Sequence, residues 1–211
     1  MNYTSKQLIE NTLKSTCSWI REQDYAVRNE SEFCNIFFLN LLMLLPKSDI
    51  KPSQIHSEIK QFRPGLMSKR QVASSIDFGI ASAPNGDEYD LFLEVKTWIR
   101  PVLYTKGAIA PNSSTSKRKQ CVSDSARLCA NVQRGVCQAG GLIIFEQGST
   151  HLRRSVPKEL SSQPLYFEEW WLDIERPSLG RRKEHLGLIW IYPQQQRAND
   201  SLLVAVHSAQ G

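Results

Sequence analysis

Two alternating apolar runs flank the tetrapeptide Pro84-Asn85-Gly86-Asp87, and no other segment constrains the fold so tightly. The runs are Ser75-Ile76-Asp77-Phe78-Gly79-Ile80-Ala81 and Leu91-Phe92-Leu93-Glu94-Val95-Lys96. Asn-Gly between such runs predicts a β-hairpin, because a type I′ turn needs positive φ at both central residues. A turn centred on Asn85 and Gly86 sets Asp77 directly opposite Glu94, and Lys96 falls on the same face. Ile76, Phe78 and Ile80 then share one core face, as do Leu91, Leu93 and Val95. Like charges opposed across a ladder destabilise a sheet. A divalent cation between the two carboxylates removes the conflict.

The chain around this hairpin reads as an α/β layered core. Apolar residues at Leu8, Ile9, Leu13, Cys17 and Ile20 predict an amphipathic helix over 4–23. A second helix is expected over about 30–45, with Asn29 or Ser31 as its cap and Pro46 ending it. Residues 54–60 read as a strand and 63–71 as a loop. The hairpin strands follow at about 74–82 and 89–98. Residues 104–120 are polar and read as a loop that carries Lys117-Arg118-Lys119. A helix is predicted from Ser123 to Gln138, stopped by Gly140-Gly141, then a short buried strand at Leu142–Phe145. Glu168–Ile174, with Trp170 and Trp171, suggests a short helix. Strands are expected at 186–192 and 202–207. The organisation is one domain: an N-terminal helical extension (1–28), a core (29–147) and a C-terminal α+β extension (148–211).

With 211 residues, 41% apolar and 22% charged, the chain has the composition of an ordinary globular protein. Its net charge of +5 is local: residues 101–160 hold nine Lys/Arg against three Asp/Glu. A basic segment beside an acidic site suits a polyanionic substrate whose reacting phosphate needs a metal. A solvated basic loop gives the same pattern. Five cysteines form neither a CxxC pair nor an even disulfide framework and read as reduced thiols. Cys121, Cys129 and Cys137 recur every eight residues, as on one packed helix face. The polar N-terminus shows no signal peptide, and the apolar run Phe33–Leu45 is too short to span a bilayer. A cytoplasmic protein is expected, with no membrane partner.

The triplet Glu94-Val95-Lys96 is not distinctive by itself, since Glu58-Ile59-Lys60 has the same form. Only the former has an acid, Asp77, across a hairpin on the matching face. With the helix and strand before and the helix and strand after, this arrangement resembles the PD-(D/E)xK nuclease superfamily, the restriction-endonuclease-like fold. The likeness covers residues 29–146, and residue 76 is Ile where the family name has Pro. It implies an αβββαβ core: a mixed sheet flanked by helices. It also implies that Asp77, Glu94 and the Val95 carbonyl hold Mg²⁺, with Mn²⁺ able to substitute. Lys96 would orient a water and stabilise developing charge. Glu32 would match the acid that many members carry on the first core helix, and Glu58 is an alternative for that role.

The expected activity is therefore metal-dependent hydrolysis of phosphodiester bonds, in DNA, of the kind used in restriction, phage defence, mobile elements or repair. Lys117, Arg118, Lys119 and Arg127 are candidate phosphate contacts, as is Arg134. A homodimer or a separate recognition or effector subunit is the expected partner, since two strands need two cuts. The alternative is a catalytically silent nuclease-fold module that binds nucleic acid or a protein. Blander readings apply to each residue. Asp77 and Glu94 fit exposed strand positions, and Lys96 fits a simple ion-pair partner of Glu94. Glu32 fits a helix-dipole charge, Asp124 and Arg127 solvated helix charges, and Trp170 and Trp171 packing aromatics.

Overall fold

The computed structural model describes residues 3–61, 74–99, 114–147, 152–154, 156, 165–179 and 183–193. Helix α1 (Tyr3–Glu22) leads to α2 (Glu30–Leu44), then through short 3₁₀ turns to β1 (Ile55–Gln61), β2 (Ser74–Ala81) and β3 (Tyr89–Trp98). Helix α3 (Ser114–Gln133) precedes β4 (Cys137–Gln147), and β5 (Leu165–Glu175) and β6 (Lys183–Pro193) complete the sheet. The result is α/β, with one mixed six-stranded sheet in the order β1-β2-β3-β4-β6-β5. Among the described strands only β3 and β4 pair in parallel, and α3 lies on the crossover between them, as parallel neighbours require. The expected strand at 202–207 lies outside the described residues, as do 62–73 and most of the expected loop at 104–120. No helix among the described residues is long and apolar enough to cross a membrane.

The sheet is covered on both faces. Leu91, Leu93 and Val95 of β3 pack with α1, α2 and the inner residues of β6 in one core. Phe92, Leu142 and Ile144 pack with Cys121, Leu128 and Val132 of α3 in the other. Phe33 and Phe37 of α2 are fully buried, and Phe33 stacks on Phe145 of β4 at 5.2 Å. Each such burial is worth about 1.5–3 kcal/mol, and together they fix α2 across β3 and β4. Behind them the buried Arg176–Glu184 pair (2.9 and 3.0 Å) also reaches Asp24, tying the end of α1 to β5 and β6.

Four expectations change. Residues 168–174 are strand, not helix. Phe167 and Trp171 of β5 pack toward one core and Trp170 and Leu172 toward the other, so the aromatic β-formers decide against the helical suggestion of Glu168-Glu169. Helix α3 begins at Ser114, so Lys117, Arg118 and Lys119 lie on a helix rather than in a loop, and the side chains of Arg118 and Lys119 are exposed. The same helix ends early. Gly135 at φ +69, with the Val136 amide on Asn131 O and the Gly135 amide on Val132 O, closes it in a Schellman motif. Cys137 therefore starts β4 and leaves the cysteine series.

The hairpin turn also differs. The Gly86 amide donates to Ala83 O at 3.0 Å, and Asn85, not Gly86, takes positive φ (+56). Pro84 followed by a left-handed residue is the pattern of a type II turn within a longer connection. A bulge at Ile80/Ala81 absorbs the difference. Beyond it the strands pair Ile80 with Leu91, Gly79 with Phe92 and Phe78 with Leu93.

Candidate active site

The β2–β3 ladder ends at Phe78–Leu93. At Asp77 the alternation of β2 breaks: Phe78 and Ile80 point into the α1/α2 core, while Ile76 joins the α3 core rather than sharing their face. β1 breaks at the facing position. Ile55 packs toward one core and Ile59 toward the other, with Glu58 at φ +51 between them. The two strands thus turn together beside β3 and leave a notch in the sheet.

Acidic side chains cap the backbone donors that the lost ladder leaves behind. Asp77 Oδ2 accepts from the Val95 amide at 2.7 Å, and Glu30 Oε2 accepts from the Thr97 amide at 3.1 Å. Glu30 is the first residue of α2 and enters the notch from one face of the sheet. Asp124 and Arg127 of α3 enter from the other. Lys96 Nζ sits among four carboxylates: Asp124 at 3.2 Å, Glu30 at 3.6 Å, Glu94 at 3.7 Å and Asp77 at 4.0 Å. Arg127 donates to Glu94 Oε1 and lies 3.1 Å from Asp124.

Four acids against two bases give this cluster a net charge of −2 when all are ionised. The protonation energetics record the excess. Burial, and after it the charge of Asp77, pushes the Glu94 carboxyl up to about 8, despite Arg127 and Lys96. The Glu94 side chain is only 1% exposed. Burial works to lower the Lys96 pKa, but Glu30, Asp77, Asp124 and Glu94 together raise it above the ordinary lysine value. Lys96 is therefore a fixed cation. Cys34, beside Asp77 and Glu30, is pushed up to about 12, chiefly by burial, and stays a neutral thiol.

The structure thus brings Asp77, Glu94, Lys96 and Arg127 together, with Val95 between Glu94 and Lys96. It does not bring in Glu32. That side chain accepts from the Arg28 amide at 2.8 Å, while the Asn29 side chain accepts from the Glu32 amide at 2.8 Å. Glu32 is held at the helix cap, and Glu30 is the α2 acid in the notch. The sequence carried a signal for this: Asn29-x-x-Glu32 has the spacing of a capping box, which commits Glu32 to the helix start. Glu58 is not among the carboxylates around Lys96 and instead lines a cleft with Asp77 and Glu30. Asp124 was legible only as a helix-surface charge. Arg134 follows the last turn of α3 and is exposed.

Among the described residues no three His, Cys, Asp or Glu side chains are arranged to hold a metal ion. Comparison with protein-family models, with curated proteins and with solved structures finds no match.

Proposed function

We propose that the protein is a metal-dependent nuclease that hydrolyses phosphodiester bonds, in DNA first of all. The observation that carries this reading is the acidic cluster around Lys96: four carboxylates against two bases, an excess of two negative charges once Glu94 ionises, which one divalent cation would balance. The element order α2-β1-β2-β3-α3-β4 is the order of a restriction-endonuclease-like core, and it supports the resemblance of Asp77, Glu94 and Lys96 to the PD-(D/E)xK set.

The donor chemistry suits Mg²⁺. That ion takes oxygen ligands, keeps several waters and is commonly held by only one or two carboxylates plus substrate phosphate. Asp77, Glu94 and the Val95 carbonyl are the residues that would hold it. Glu94 keeps Oε2 free of Arg127, and its raised pKa marks a buried site short of positive charge. When bound, the ion supplies Lewis-acid neutralisation of the scissile phosphate and a more acidic water.

The chain's own residues do the rest. Lys96 is a compact cation that orients the attacking water and stabilises charge on the phosphate oxygens. Glu30 and Asp124 hold the ammonium of Lys96 from opposite faces of the sheet, and Arg127 holds Glu94. Water adds to phosphorus, the P–O ester bond breaks, and a phosphomonoester and a hydroxyl result. A double-strand break takes a second copy of the chain or a separate recognition subunit. The exposed Arg118 and Lys119 offer charge for the DNA backbone.

The test is cleavage of linear, circular and single-stranded DNA and of RNA in Mg²⁺, Mn²⁺ or EDTA. The expected outcome is cleavage with either metal, none in EDTA, and at least a ~100-fold loss in Lys96→Ala, the usual scale for a lost charge-stabilising group. Undiminished activity in Lys96→Ala or in EDTA rejects the mechanism.

A further inference from the structure

A cleft of about 320 Å³ opens from Asp77 and runs along α2, between that helix and strands β1 and β2. Its two ends differ. At the far end Phe38 and Phe78 lie nearly parallel, ring centroids 5.9 Å apart. At the near end Asp77 and Glu30 belong to the cluster described above. Ser31, Asn35 and Ser57 also line the cleft and are exposed. The Asn35 side chain makes no hydrogen bond to the described residues. Glu58 completes the rim, turned into it where β1 takes its left-handed residue.

We infer that this cleft receives one unpaired, amino-bearing nucleobase of the strand being cut. The inference rests on the nuclease reading and names the substrate form that the same site selects. Three features carry it. The cleft has the size of a small-molecule site and cannot admit a stacked base pair, so its occupant must have left the helix. Its wall offers an aromatic face beside hydrogen-bonding groups, the combination that holds splayed bases. Three carboxylates on the rim repel a second phosphate but accept from exocyclic amino groups. Adenine, cytosine and guanine carry such amino donors, whereas thymine and uracil offer only one imino N–H, flanked by two carbonyl oxygens that the carboxylates repel. Because Asp77 forms the near end, the base belongs to a nucleotide next to the scissile phosphate. The enzyme therefore selects single-stranded, frayed or mismatched substrate.

The experiment uses the full chain with Ca²⁺ in place of Mg²⁺ and measures binding by fluorescence anisotropy. The probes are labelled oligo-dC, oligo-dT and a duplex of equal length. Oligo-dC is expected to bind about 10-fold more tightly than oligo-dT or duplex, and Phe38→Ala and Asn35→Ala to remove that preference. Asn35 is exposed, so its variant reports the cleft even where Phe38→Ala disturbs packing. In Mg²⁺, an abasic site at one position beside the cut slows wild-type cleavage about 10-fold and leaves Phe38→Ala unaffected. Equal affinity for the three probes, or a dC preference intact in Asn35→Ala and Phe38→Ala, overturns the inference. Metal-dependent cleavage with no base preference rejects the cleft and leaves the nuclease reading. Base-selective binding with no cleavage in any metal rejects the nuclease reading and leaves the cleft.

Discussion

The Val95 amide donates to the Asp77 carboxylate at 2.7 Å, just past the point where the backbone ladder between their strands ends. One side chain thus satisfies a buried donor of β3 and presents its charge to Lys96. Structure and chemistry are separable at this residue. Asp77→Asn keeps an oxygen acceptor for Val95 and loses the charge; it is expected to fold with near wild-type stability and to lose metal-dependent cleavage. Asp77→Ala also orphans the amide, which costs about 1–3 kcal/mol. Chemical denaturation beside a cleavage assay separates the two.

Glu94 gives the metal-free protein a characteristic pH dependence. The unfolded chain releases this proton near the ordinary value of 4.5, and the folded protein holds it up to about 8. Between those values the folded state binds more protons than the unfolded state, so stability falls as pH rises. Glu94→Gln has no such proton. Between about pH 5 and pH 8 its stability is expected to fall less steeply than that of wild type. On the proposed reading, saturating Mg²⁺ is held by this carboxylate and is expected to flatten the wild-type slope. Thermal unfolding across this range in EDTA and in Mg²⁺ measures both effects.

Glu30 and Glu32 are two residues apart and are expected to respond oppositely. Glu30→Gln weakens the hold on Lys96 and lowers cleavage about 10-fold, with little effect on stability. Glu32→Gln replaces the carboxylate at the α2 cap, where it accepts from Arg28. It costs about 0.5–1 kcal/mol and leaves the rate unchanged. Rates and melting points for the two variants form a crossed pair, and the reverse pattern would reassign the helix acid.

Arg176 and Glu184 are each buried and hydrogen-bonded to one another, and neither makes an ion pair with the groups around Lys96. Arg176→Ala leaves the Glu184 charge without its main partner and is expected to destabilise the protein by about 3–5 kcal/mol. Below its lowered melting temperature its cleavage rate should match wild type. A specific rate loss without a stability loss would give the pair a role in the site.

The hairpin was legible because its strands carry the apolar pattern and the acids themselves. The direct opposition of Asp77 and Glu94 was not, because the ladder stops at Phe78–Leu93 and the two acids share Lys96 rather than a rung. Nor was the turn. A Pro before Asn-Gly moves the left-handed residue to Asn85, and a bulge restores the register. The helix acid was misplaced by two residues, since counting acids near a helix start does not say which one the cap consumes. Asp124 and Arg127 were invisible as a pair with Lys96, because a helix–strand contact across the sheet leaves no trace in local spacing. β5 was obscured because both its faces are partly covered, which erases the alternation that marks a strand.

Anomalous scattering from crystals soaked in Mn²⁺ tests the proposed divalent ion between Asp77 and Glu94. A peak is expected within coordination distance of both carboxylates and the Val95 carbonyl, absent in Glu94→Gln crystals. Crystals that carry Mn²⁺ only elsewhere, from a protein that cuts DNA in Mn²⁺, would contradict it.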